Sequence, residues 1–182
     1  MPQSKNAPPI FRVVSGRFYR AILSERVDSV LEPPSPHSAG RYHRHGQPAL
    51  YMSPEPGWAI RAISGYMRED GKARVLVPLL VTEAMIFDQH DAGSCDRLGI
   101  DRTHSNVSWR SVLDAGGEPP SWKTSDIVRA TGADGLIDPS RNIPGGWHLD
   151  LFRWNGLGGP RVEVAGEPME IRLSATGGKW EL

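Results

Sequence analysis

Proline and glycine set the first limit on this fold. The chain has 182 residues, and 16 prolines and 20 glycines are spread along it. Proline fixes φ and removes an amide donor, and glycine favours turns. Elements are therefore expected to be short and joined by turns, which argues against a helical bundle. The segment EPPSPHSAG (Glu32–Gly40) carries three prolines and reads as a loop.

Between these interruptions the apolar pattern defines candidate elements. Phe11–Ile22 enters the fold as a strand or a short helix, and PALYMS ends as a short strand. Glu55–Asp70 has helical spacing through Trp58, Ala62, Ile63, Tyr66 and Met67, with Gly71 as its stop. Lys72–Asp88 is rich in β-branched residues. It predicts a strand, a bend near Thr82–Glu83 and a second strand, with Pro78 marking an edge or a bulge. A helix is expected to start at Thr124 or Ser125 and stop at Gly132. The strand GLID follows, then the alternating strand WHLDLFRW, and RVEVAGEPMEIRLS reads as a closing hairpin or two edge strands. Strands adjoin strands, with a few short helices between. The expected class is α+β, with a mixed, mostly antiparallel sheet core in a single domain over 10–182, after a flexible leader over 1–9.

Charge and cysteine content narrow the function. Lys plus Arg equals Asp plus Glu at 21 each, so the formal net charge is zero. A nucleic-acid binder normally carries a basic excess or a long basic stripe, so direct nucleic-acid binding is not expected, although local arginine clusters could hold a small anion. The single cysteine, Cys95, allows no internal disulfide. No apolar run reaches the length of a membrane span, and the N-terminus lacks the apolar core of a signal peptide. A soluble cytoplasmic protein without membrane contact is the simplest expectation.

Most local signals are weak. His43 and His45 form an HxH that on a strand would share one face, but no companion ligands accompany it, and exposed loop histidines are the plainer reading. No metal is expected. Cys95 fits a small buried cysteine better than a nucleophile. GxSxG and GxxxxGK[ST] are missing, and Gly156–Gly159 reads as a turn. Two stretches say more. GRYHRHGQPALYMS (Gly40–Ser53) sets arginines, histidines and tyrosines ahead of a strand. In GADGLIDPSRNIPGGWHLDLF (Gly132–Phe152), Ser140 ends a strand beside a glycine turn. There the serine either bonds a ligand or caps the turn.

Taken in order, these stretches resemble the RES domain, the toxin component of a bacterial toxin–antitoxin class named for an arginine, a glutamate and a serine. FYRA with Arg20 matches the family's apolar-Tyr-Arg entry. GRYHRHGQPALY matches Gly-Arg-Trp-Asn, a spacer and Gly-x-Pro-apolar-Leu-Tyr, with Tyr42 in place of Trp and His43 in place of Asn. Gly132–Phe152 matches the serine motif, with His148 at the Asn place. The correspondence covers roughly residues 17–155. One position departs: the helix glutamate falls at Ala62, beside Arg61, and the nearest acid is Glu69, seven residues on. Glu69 would share a helix face with Ala62 but lie roughly 10 Å further along the axis.

The resemblance implies an ADP-ribosyltransferase-like fold and NAD as substrate. NAD would be cleaved at the nicotinamide–ribose bond, and ADP-ribose would pass to water, phosphate or a macromolecule such as a protein. It also implies a cognate antitoxin of the Xre-like kind. Carried over residue by residue, Arg20 and Arg41 bind pyrophosphate or ribose, Tyr51 packs at the nicotinamide end, Ser140 bonds the substrate and Glu69 stands in as the acid. The missing helix glutamate supports an alternative, a RES-fold protein that binds a nucleotide or a partner without turnover.

Overall fold

The computed structural model describes residues 9–173 and 180–182. The leader expected over 1–9 lies almost wholly outside them. The centre of the fold is β3 (Arg74–Asp88), fifteen residues long. Its apolar run is continuous rather than alternating, as a strand covered on both sides requires. β1 (Phe11–Leu23) is a strand throughout and lies antiparallel to β3 along nearly its whole length, from Phe11 opposite Phe87 to Leu23 opposite Arg74.

The expected break at Thr82–Glu83 is a bulge within this single strand. Val14 pairs with Ala84 and Gly16 with Val81, so β3 has one residue too many between them. Glu83 takes φ 57°, and its amide donates to the Ser15 hydroxyl at 2.8 Å.

On its other edge β3 receives three short strands in turn: β7 (Met169–Glu170), β6 (Arg161–Val164) and, in parallel, β4 (Gly135–Pro139). Of the two expected arrangements, the closing hairpin is ruled out and the pair of edge strands is found, because β6 and β7 both pair with β3 and not with each other. Pro78 is likewise not on an edge strand. It faces the gap between β6 and β7, where no donor is needed, and its carbonyl accepts from Ala165 N at 2.8 Å.

β4 continues antiparallel to β5 (Trp147–Leu151), and β5 to β2 (Leu50–Met52). The sheet order is β1-β3-β4-β5-β2. It curls until Ser53, just after β2, exchanges backbone hydrogen bonds with Tyr19 of β1 at 2.8 and 2.9 Å. A mixed, mostly antiparallel sheet with a few short helices is thus the observed α+β class. A separate small ladder joins β8 (Arg172–Leu173) to β9 (Trp180–Glu181).

The core lies on both sides of the sheet. One side holds Phe18, Leu79, Val81, Ile86, Ile137, Leu149 and Leu151, all buried. The other packs Phe87, Leu136, Phe152 and Val128 with Cys95. Burying a side chain of this size stabilises by about 1.5–3 kcal/mol.

Helix α1 (Pro56–Asp70) begins with proline in its first turn and ends at Gly71, φ 62°. Its buried residues are Ala59, Ile60 and Met67, against Leu76 and Ile171. The stripe expected through Trp58 and Ala62 is rotated from this, and Ala62 is exposed, because the helix covers the sheet with one face and walls a cleft with the next.

Short helices α2 (Ala92–Leu98) and α3 (Trp109–Asp114) precede α4 (Pro120–Ala130). Helix α4 starts before Thr124, because Pro120 sits at the first turn, where a missing amide costs nothing. Thr124 and Ser125 are buried within it, and Ser125 bonds back to Trp122 O at 3.0 Å.

Candidate active site

Three strands and the loop before them build one cleft. On β4, β5 and β2 alternate residues share a face. Asp138 lies opposite His148, and Asp150 lies opposite both Leu136 and Tyr51, so three polar groups line up under the cleft with Tyr51 beside them. Arg20 reaches in from β1 because the Tyr19–Ser53 closure sets β1 beside β2, and its Nη1 donates to Tyr51 O at 3.3 Å. Arg41 comes from the loop before β2, Ser140 from the end of β4, and Ala62 from α1. The cleft encloses about 400 Å³.

The loop carrying Arg41 is pinned from behind. Trp122 Nε1 donates to Gly40 O at 2.8 Å, the Ser121 hydroxyl donates to Arg41 O, and Arg129 donates to Tyr42 O at 3.1 Å and Pro48 O at 2.9 Å. Arg44 ties the same loop to α4. It pairs with Asp126 and Glu118 at 2.8 Å each and stacks 4.8 Å from the Trp122 ring. Gly40 must be glycine, because a Cβ there would lie 2.9 Å from the Tyr51 hydroxyl and closer still to the His43 ring.

Hydrogen bonds then fix the tyrosines. The Tyr51 hydroxyl accepts from Tyr42 N at 3.0 Å and meets His43 Nδ1 at 2.7 Å. The Tyr42 hydroxyl donates to Asp138 Oδ1 at 2.6 Å and accepts from Gln89 Nε2 at 3.2 Å. Tyr42 is fully buried. It thus serves the site through Asp138 instead of lining the cleft.

The two arginines keep donors that nothing satisfies. Arg41 Nε lies 3.5 Å from Asp138 Oδ2, a distance that leaves Nε and Nη2 buried without a hydrogen bond; Arg20 Nε is buried unpartnered too. Burial lowers the Arg20 pKa to about 10, so it stays cationic at neutral pH. For Arg41, burial works against the charge, but Asp138, Tyr42 and Asp150 outweigh it and the net shift is upward. Buried donors on fixed cations are what an oxyanion ligand satisfies with forked, charge-assisted bonds.

The acids are unusual. Both Asp150 oxygens are buried without a hydrogen-bond partner among the described residues. Burial, then the neighbouring Asp138, raises its pKa well above 3.8. Burial lifts Asp138 to about 6, against the pull of Arg41 and Tyr42. His148 meets the Ser53 hydroxyl at 2.7 Å, and burial followed by Arg41 lowers its pKa to about 4. His43 also falls to about 4, through burial and then Arg129. Both imidazoles are neutral at pH 7.

Of the sequence-derived candidates, Arg20, Arg41, Tyr51 and Ser140 come together in this cleft. The Ser140 amide closes the turn onto Gly146 O at 2.9 Å, which leaves its hydroxyl clear of the turn bond. Glu69 does not join them. It is exposed at the end of α1 and pairs with Arg110 at 3.1 Å. The HxH is not a strand pair: His43 is buried against Tyr51 and His45 points to solvent. Among the described residues no group of three His, Cys, Asp or Glu gathers as metal ligands. Cys95 is buried with its thiol pKa raised by burial, which does not suit a nucleophile. Sequence reasoning missed Asp138 and Asp150. The available signal was a lone acid within each apolar strand, GLIDP and WHLDL.

A family model described as the RES domain matches residues 9–174. The chain belongs to the RES domain family. Among solved structures, the crystal structure of the M. tuberculosis MbcT–MbcA toxin–antitoxin complex has a chain similar to this RES protein with a TM-score of 0.61. Identity is 12%, over 88% of this chain and 86% of the other, a likeness of fold. No curated protein matches the chain significantly. No helix among the described residues is long and apolar enough to cross a membrane.

Proposed function

We propose that this RES protein is the toxin of a toxin–antitoxin pair and cleaves NAD at the nicotinamide–ribose bond in the cytoplasm. The observation that carries the reading is the pairing, in one cleft, of two half-buried arginines whose buried donors are unsatisfied with a buried, unpartnered acid beside a tyrosine. Arg20 and Arg41 hold the pyrophosphate. Tyr51 and Ser140 bound the nicotinamide ribose. The C–N bond breaks with its electron pair going to the ring nitrogen, so the cationic ring leaves as neutral nicotinamide and the ribose becomes oxocarbenium-like. Water, phosphate or a macromolecular acceptor then adds at the anomeric carbon, and a protonated acceptor loses its proton. Asp150 supplies the carboxylate that the helix lacks. Burial and the neighbouring Asp138 favour its protonated form in the empty cleft, and the positive nicotinamide ring favours its ionisation on binding. A charge fixed near the developing cation lowers the barrier as it does in glycosidases.

The partner is a cognate antitoxin, Xre-like by family resemblance, that covers or plugs the cleft. The similar M. tuberculosis structure is that of a toxin–antitoxin complex, which supports this. Loss of NAD upon incubation with purified protein, set against an Arg41→Ala control, tests the activity. Equal loss in both would sink it. Ala62 supports a second reading, binding without turnover. Under it Ala62→Glu would raise NAD cleavage from nothing, whereas under the first the native chain already turns over.

A further inference from the structure

A second groove of about 650 Å³ opens beside the cleft and shares Arg41, Ala62, Tyr66, Trp109, Arg141 and Asn142 with it. One wall is the face of α1 that carries Arg61 and Arg68, seven residues apart and so on one side of the helix. Ser108–Arg110 also line the groove, and Arg141 and Asn142 line both it and the cleft. No carboxylate lines the groove. Arg110 is occupied, by Glu69 at 3.1 Å and by the Tyr66 ring at 4.8 Å. The Arg61 and Arg68 guanidiniums have no ion-pair or hydrogen-bond partner among the described residues, while Arg141 lies near enough to Asp138 to pull its pKa down.

The cleft itself already offers Arg20 and Arg41 to a diphosphate. With Arg141 on the shared border, the two uncommitted guanidiniums of Arg61 and Arg68 next door exceed what a diphosphate needs. The chain as a whole is neutral, so this is a local concentration of charge and not a basic surface for a polymer. We propose that the groove binds a phosphomonoester in addition to the diphosphate, and that the preferred substrate is the 2′-phosphorylated dinucleotide, NADP. This rests on the reading of the cleft as a nicotinamide-dinucleotide site. With nicotinamide at Tyr51 and Asp150 and the pyrophosphate on Arg41, the adenosine half passes Trp109 into the groove. Its 2′-phosphate then falls to Arg61 and Arg68. Arginine is the side chain that suits this group, since its fork bonds two phosphate oxygens at once.

The test measures binding by calorimetry and cleavage by kcat/KM, with NADP and NAD, on the wild-type chain and on Arg61→Ala/Arg68→Ala. Both positions are exposed on α1, so the double variant keeps its core. Wild type is expected to favour NADP by about tenfold or more at low salt, roughly one fork-bonded phosphate's worth of discrimination. The double variant should bring the ratio close to one with NAD values almost unchanged. Equal or better use of NAD by wild type overturns the proposal. So does an equal loss for both dinucleotides in the variant, which would make these arginines part of general dinucleotide binding. Tighter NADP binding, abolished in the variant but without any turnover, would uphold the phosphate subsite and remove the catalytic reading alone. If a separate phosphorylated acceptor is the true occupant, 2′-AMP will not compete with the dinucleotide, and the NADP assignment falls.

Discussion

Tyr51 and Asp150 lie directly opposite each other on the β2–β5 ladder, so a phenol anchored by hydrogen bonds stands beside a carboxyl group that has none. Asp150 makes no hydrogen bond within the described fold. A buried polar group without a partner costs about 1–3 kcal/mol. Asp150→Asn is expected to raise the melting temperature while lowering NAD cleavage more than tenfold. The gain in stability should grow with pH. The folded-state pKa is raised above 3.8, so between 3.8 and that higher value the native state holds a proton that the unfolded chain has released. Wild type is destabilised across that window as pH rises, and the asparagine variant is not. Melting curves from pH 4 to 8 for both proteins check this, and a constant difference would refute it.

Tyr42 and Asp138 form the second coupled pair. Tyr42→Phe removes the hydroxyl that donates to Asp138 Oδ1 and accepts from Gln89, leaving two buried groups short of a partner. A loss of about 1–3 kcal/mol is expected in urea unfolding. Asp138 also holds Arg41 from behind, through Nε at 3.5 Å. The affinity for NAD should therefore fall along with stability, whereas a purely structural tyrosine would leave the affinity of the folded fraction unchanged.

These pairs also mark where the sequence was readable. β3, β4 and β5 were visible as apolar runs because their periodicity survives burial. Their partners were not, since nothing in RVEVAGEPMEIRLS says that it pairs with β3 and not with itself. Arg20, Arg41, Tyr51 and Ser140 were found through motif order, and β1–β2 closure brings them together. Spacing from Tyr51 points to an acid on α1. The buried carboxyls sit instead on β4 and β5, at positions that read as single polar breaks in strands. Only cross-strand register puts them under the same cleft as Tyr51.

Gly40 carries a packing prediction. A methyl group there would collide with the His43 ring and lie 2.9 Å from the Tyr51 hydroxyl. The loop cannot yield readily, because Trp122 and Ser121 hold its carbonyls. Gly40→Ala is expected to cost about 1–3 kcal/mol and to reduce NAD cleavage by displacing Tyr51. Far-UV circular dichroism should stay native while the melting temperature drops. An unchanged cleavage rate would show that Tyr51 has no part in the site.

His148 predicts the acid limb of stability. It is held near pKa 4 by burial first and Arg41 second, below its ordinary 6.5. Between those values the unfolded chain binds a proton that the native state refuses, so stability present above pH 6.5 is lost as pH falls toward 4. His43 adds a slope of the same sign. Asparagine can still take a hydrogen bond from the Ser53 hydroxyl and carries no titrating group. His148→Asn should therefore lose less stability than wild type between pH 6.5 and 4 while matching it near pH 7.5. Urea midpoints at the two ends of this range decide the point, and parallel pH dependence in both proteins would show that His148 is not held neutral.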